Sequence, residues 1–224
     1  MYIGRMASLM LLVVSGLLIA PSLSRACGKA QENAQGWDMT ARHYGNGGLI
    51  YVNTAGTLSG LHVDGVARSF FVVGSDGDDV EVGWDDGNGT SNPTVYAEWV
   101  NDGVDSGVLH YTGYSLSYDT NYTFKVQNVG QIYIWRFYVD GQSSPFNYSP
   151  TMSFQQGYVI GNSERHNNCD SMWTHQYRLQ YYSSAGDWND WSSDSEKTCT
   201  ATDGWEFNDV SDTEFYVDQN AGVC

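Results

Sequence analysis

An all-β fold, two antiparallel sheets packed face to face as a jelly-roll sandwich, is predicted for this 224-residue chain by three observations. Short runs rich in Val, Ile, Thr and aromatic residues recur along it, separated by clusters of Gly, Asp, Asn and Ser. That rhythm marks a sandwich. No segment after residue 26 carries a sustained apolar stripe of helical period. Finally, 122–141 reads as a hairpin: two β-rich runs flank Asn128-Val129-Gly130, and the second closes on Asp140-Gly141. Asn and Gly tolerate the left-handed backbone of tight turns, while branched and aromatic side chains suit a pleated surface.

In order, the predicted strands are 49–53, 66–73, 79–84, 94–100, 121–127, 131–139, 157–161, 172–182 and 213–217. Along 79–84 the side chains of Val80, Val82 and Trp84 share one face, and Glu81 and Gly83 the other. Along 131–139, Tyr133, Trp135, Phe137 and Val139 oppose Ile132, Ile134, Arg136 and Tyr138. Large apolar groups on both faces place this strand between two layers rather than at an edge. The predicted core is Phe71, Val80, Val82, Trp84, Phe124, Val126, Trp135 and Phe137. No 20–50-residue repeat or low-complexity linker divides the chain, so 27–224 is read as one domain with one groove.

The first 26 residues are an address. Arg5 supplies a positive start, 7–20 an apolar core, and Ser24-Arg25-Ala26 a small-x-small cleavage site ahead of Cys27. The apolar run is shorter than a membrane span, and nothing later resembles one. The chain is expected to be secreted; lipid anchoring at Cys27 is the competing reading, and Arg25 fits that signal poorly. Removing Arg5 and Arg25 leaves 8 basic against 26 acidic residues, a net charge of −18. Such a surface repels phosphate backbones and anionic headgroups, which argues against nucleic-acid and membrane partners. An oxidising compartment and four cysteines favour disulfides: Cys169 with Cys199, and Cys27 with Cys224. No close Cys or His pair has zinc-ligand spacing.

The segment Trp135-Arg136-Phe137-Tyr138-Val139-Asp140-Gly141 resembles the strand pair of concanavalin-like and laminin-G-like sandwiches. With Val80-Glu81-Val82-Gly83-Trp84, Asn162-Ser163-Glu164-Arg165 and the segment 208–214, the chain after His62 resembles small secreted actinobacterial β-sandwich proteins. The pentad 80–84 also resembles the Ile-Glu-Ala-Gly-Trp stretch of neprosin-type glutamic peptidases. Tyr96-Ala97-Glu98-Trp99 and Asn101-Asp102-Gly103 then match the aromatic strand and Asp-Gly turn that follow it there. That resemblance implies catalysis by two glutamates of differently tuned pKa. Glu81 matches the first; Glu164 is the best partner, although its surroundings depart from the family pattern.

The aromatic content offers a rival reading. Trp84, Tyr96, Trp99, Trp188 and Trp191, with Glu98, are candidates for a groove that stacks on sugar rings of an extracellular glycan. Core packing is the competing account, most of all for Trp84. No Gly-x-Ser-x-Gly elbow supports a nucleophilic hydrolase. No cofactor is required; calcium is the ion that Asp76, Asp78, Asp85 and Asp86 would admit, although turn chemistry alone accounts for them. The two functions carried forward are a glycan- or envelope-binding module and an acid-acting glutamic peptidase.

Overall fold

Alternation of apolar and polar side chains builds two sheets in the computed structural model, which describes residues 29–53, 66–86, 92–101, 106–167, 173–192, 196–199 and 206–218. The described residues form strands and no helix. The first sheet uses β1 (Lys29–His43), β3 (Val66–Val73), β4 (Asp79–Asp85), β5 (Thr94–Val100), β6 (Gly107–Ser115), β10 (Gly157–Asn167) and β13 (Glu196–Cys199). Its order is β13-β1-β10-β3-β4-β5-β6. The second uses β2 (Gly45–Val52), β7 (Thr120–Gln127), β8 (Arg136–Val139), β9 (Asn147–Tyr148), β11 (Thr174–Tyr182), β14 (Glu206–Ser211) and β15 (Glu214–Asp218). These run β14-β15-β11-β2-β7-β8-β9, with β12 (Trp188–Asp190) paired to β11. Both sheets are antiparallel, as expected for the sandwich.

The sheets bury one shared apolar layer. Val80, Val82 and Trp84 of β4 meet Phe124 and Val126 of β7 and Phe137 of β8 there, with Trp135 beside them, all without exposed surface. Of the expected core only Phe71 differs: it is half-buried, because it lies on the opposite face of β3 from Phe70 and Val72. The core also holds Arg68, whose Nη1 donates to the carbonyls of Ala67 and Glu164 and whose Nε donates to that of Trp173. Backbone oxygens thereby satisfy a buried cation, which lies 5.8 Å from the Trp84 ring.

The 122–141 hairpin forms, with Phe124 opposite Val139 and Val126 opposite Phe137. Asp140 and Gly141 adopt φ of 49° and 70°, the left-handed turn expected of them. The second strand is shorter than predicted. Residues 131–135 form a loop that Asn128 clasps through Ile132, leaving Ile132 and Tyr133 exposed. β8 is also not sandwiched between layers: Arg136 and Tyr138 face outward, half-buried, and only the two-residue β9 lies beyond. Residues 1–28, with the expected leader and Cys27, and Cys169 and Cys224 lie outside the described residues, and Cys199 is placed only by its strand register, opposite Ala34.

Candidate active site

On β4 the inward Val80, Val82 and Trp84 force Asp79, Glu81, Gly83 and Asp85 onto the face turned away from the second sheet. Register then dictates what stands beside them. Glu81 pairs with Phe71 on β3 and with Glu98 on β5; Gly83 pairs with Ser69 and Tyr96; Asp85 pairs with Ala67 and Thr94. Two carboxylates opposed across neighbouring strands have Cβ atoms roughly 4.5–5.5 Å apart, a destabilising pair when both are charged. At Gly83 the neighbouring strand leaves no room for a side chain: a Cβ there would lie 1.9 Å from the Arg68 carbonyl oxygen.

Glu81 is buried, and the Tyr96 hydroxyl donates to its Oε1. Burial pushes the Glu81 carboxyl well above the usual range and the charge of Glu98 raises it further, while Ser69 and Tyr96 oppose the rise. Asp79, one pleat away, is pushed to about 7 by burial and by Glu98 and Asp78. Burial and Glu81 push the Tyr96 phenol up, so it remains a donor. At the rim, His110 Nε2 lies 2.8 Å from Asp85 Oδ2. The arrangement is a set of carboxyls that retain protons at pH values where ordinary ones have lost them.

On the far side of β3, Asn162 of β10 stands directly opposite Ser69. The core-facing neighbour Gly161, whose Cβ would meet Gln176 and Phe215, fixes Asn162 to the same face as Glu81. Its side chain is fully buried, and neither Oδ1 nor Nδ2 has a hydrogen-bond partner. Trp37 Nε1, on the adjoining β1, is buried and unpartnered as well. Buried amides are almost always satisfied, so the amide of Asn162, on the same face as Glu81, is a candidate to meet an ordered water or a ligand.

The expected residues are only partly brought together. Glu81, Tyr96 and Glu98 converge. Glu164 shares their face but pairs with Ala67, whereas Glu81 lies in line with Ile160. Two strand spacings and four residues separate them, roughly 16 Å between backbones, beyond the reach of one shared water. Trp84 and Trp191 are buried in the core, with no ring face to offer a sugar, and Trp99 packs on the core side of β5. Trp188 is half-buried on the other sheet. One groove containing all these aromatics is therefore not formed. Asp85 and Asp86 are engaged by His110 and by the Val66 amide, and Asp78 closes the 74–78 turn through its carbonyl. Among the described residues no group of three or more His, Cys, Asp or Glu could hold a metal. Sequence reading missed Asn162 and Ser69, which only the β10-β3-β4 register reveals.

No family model matches the chain, and no curated protein does. Solved structures do. A Scytalido-glutamic peptidase bound to a peptide-based transition-state analogue superposes with TM-score 0.56 at 11% identity, over 87% of this chain and 100% of that one. SCP-B, a member of the eqolisin family of peptidases, in complex with the tripeptide Ala-Ile-His, gives TM-score 0.53 at 11% identity, again over 87% and 100%. A Bacillus licheniformis β-glucanase gives only 0.37 at 12% identity, over 80% and 68%. At such identities the likeness to the two peptidases is one of fold.

Proposed function

We propose that the chain is an acid-acting hydrolase of polypeptides, with Glu81 and Glu98 as its carboxyl pair. The observation that carries this reading is Glu81 itself, buried, opposed by Glu98 across the β4–β5 ladder and held by Tyr96. A functionless surface has no reason to bury a carboxyl against another one, and acid catalysis uses this device to keep one proton at mildly acidic pH. The shared fold with peptidases solved around peptide ligands supports polypeptide as the substrate class. A secretory leader would deliver the protein outside the cell, where acid media occur.

In this scheme Glu98, the less buried carboxylate, takes a proton from water as its oxygen adds to the scissile carbonyl carbon. Glu81 gives its proton to the departing amide nitrogen as the C–N bond breaks, and the proton taken by Glu98 returns to Glu81 for the next turn. The orphan amide of Asn162, two strands from Glu81 and three from Glu98, hydrogen-bonds the substrate backbone away from the scissile bond and so positions the chain.

The test is digestion of an unfolded protein substrate across about pH 3 to 7, with fragments identified by mass. Cleavage should peak on the acid side and fall by about 10²–10⁴-fold in both Glu81→Gln and Glu98→Gln, with folding retained. Undiminished cleavage by folded Glu81→Gln, or none by the parent at any pH, rejects the proposal.

A further inference from the structure

The opposite face of the molecule carries a second hollow of different character. On the second sheet, Asn46, Gly48 and Ile50 point inward, so Gly45 and Gly47 of β2 face out. A Cβ on Gly45 would meet the Tyr182 Cβ at 2.9 Å, and one on Gly47 the Lys125 Cγ at 2.8 Å. For these two positions β2 is therefore bare backbone, and side chains of β7 and β11 lean over it. Beside them two hollows open, of about 310 and 450 Å³, the larger one reaching β2 at Gly48 and Leu49. Both are lined by Thr123 and Lys125, so the two hollows adjoin at these side chains in a shallow trough across the strands from β8 to β12.

Trp188 forms one wall of the trough. The turn after β11, with Gly186 at φ 89°, returns the chain so that Trp188 pairs with Tyr182. Its ring lies 5.2 Å from that of Tyr182, and the Lys125 ammonium sits 4.5 Å from its centroid. The indole is thus held in place before any ligand arrives. Apart from Leu49 the rest of the lining is mostly polar and its charges balance, Lys125 and Arg178 against Asp140 and Asp190. Gln142, which also lines the trough, has a buried Oε1 with no hydrogen-bond partner. It is an acceptor waiting for a donor that the described residues do not supply.

We infer that this trough is a binding site for a neutral polysaccharide chain, distinct from the carboxyl face. With one face of the Trp188 ring covered by the Lys125 ammonium, the rest of the indole lies beside amides and hydroxyls, which suits a ligand that presents C–H groups and hydroxyls together. The balanced lining gives no excess of cations, and the chain's net charge of −16 repels acidic polymers. Two cavities joined at Thr123 and Lys125 suit a linear chain rather than a single sugar. A hydrolase so equipped would be held at a polysaccharide surface while its other face works.

The test is titration of the intact protein with soluble neutral glucans and xylan, read by tryptophan fluorescence, with alginate as the acidic comparison. At least one neutral polymer should bind and shift the fluorescence. About 0.5 M salt, which screens exposed charges to within a few ångströms, should leave that binding intact. Trp188→Ala, and separately Gln142→Ala, should each weaken it tenfold or more with the fold intact by circular dichroism. Glu81→Gln should bind like the parent, so loss of hydrolysis and loss of glycan binding are separable outcomes. Absence of binding to every neutral polymer, unchanged affinity in both variants, or binding confined to alginate and abolished by salt would each overturn the inference.

Discussion

The two outward faces of this sandwich are made in the same way and treat their polar groups oppositely. On the first sheet the outward row Asp79, Glu81, Ser69, Tyr96 and Asn162 is wholly or largely buried, with like charges adjacent and amide atoms orphaned. On the second sheet Thr123, Lys125, Gln127 and Tyr138 stay half-exposed, and Asp140 and Asp190 accept hydrogen bonds from Tyr114 and Gln180. Burial lowers the effective dielectric, so the same residue types become a reactive, pH-dependent cluster on one face and a recognition surface on the other. The difference lies in water access rather than composition.

The largest expected effect tests how tightly each face is built. In Gly83→Ala the new methyl would lie 1.9 Å from a backbone oxygen of β3, and backbone can move aside only by separating two central strands. We expect a loss above about 4 kcal/mol, or failure to fold. In Gly47→Ala the obstacles are the Phe124 carbonyl oxygen at 2.7 Å and the flexible Lys125 stem. A cost of about 1–3 kcal/mol is expected there. Urea midpoints compare the two, and equal losses would contradict the closer packing claimed for the carboxyl face.

The next effect is the pH dependence of stability. Unfolded, Asp79 ionises near 3.8; folded, near 7. Between those values the unfolded chain has lost a proton that the folded one still holds, so unfolding is favoured progressively as pH rises from about 4 to 7. Glu81, raised in the same sense, adds to the trend. Stability should therefore be greatest on the acid side and fall through that window by about 1–4 kcal/mol. Asp79→Asn should flatten part of the slope, whereas Lys125→Met, on the other face, should leave it unchanged. Urea titrations at several pH values decide this, and a stability that rises through the window would refute the burial of these carboxyls.

Much of the fold was readable from the residues. The strands at 66–73 and 94–100 have the bounds expected, because β-rich runs there end at Gly, Asp and Pro punctuation. β1 escaped notice because its inward positions include the small Ala34 and Gly36 and its outward ones Asn33 and Gln35, so no apolar alternation shows. Of the candidate site, Glu81 was legible as a carboxylate two residues from a glycine on the same face of a strand. Its partner was not, because pairing register is invisible in a single sequence and a shift of a few residues exchanges Glu98 for any neighbour. The tryptophans show the same limit: Trp84, Trp188 and Trp191 look alike in sequence, yet only Trp188 reaches a surface trough.

The smallest expected change, and the one that separates function from architecture most cleanly, is Asn162→Leu. Leu keeps the forked shape of Asn and removes two buried polar atoms that have no partner. If Asn162 only filled space, its desolvated amide would be pure cost, and the substitution would be neutral or stabilising by about 1–2 kcal/mol without further consequence. If the amide waits for a substrate carbonyl, the same gain should come with loss of hydrolysis at unchanged glycan binding, the trade expected of a site kept unsatisfied for its ligand. Melting temperature, peptide cleavage and glucan titration on one preparation distinguish the cases. Destabilisation of Asn162→Leu by more than about 1 kcal/mol would mean that the amide is satisfied in the folded protein, and the role given to Asn162 would fall.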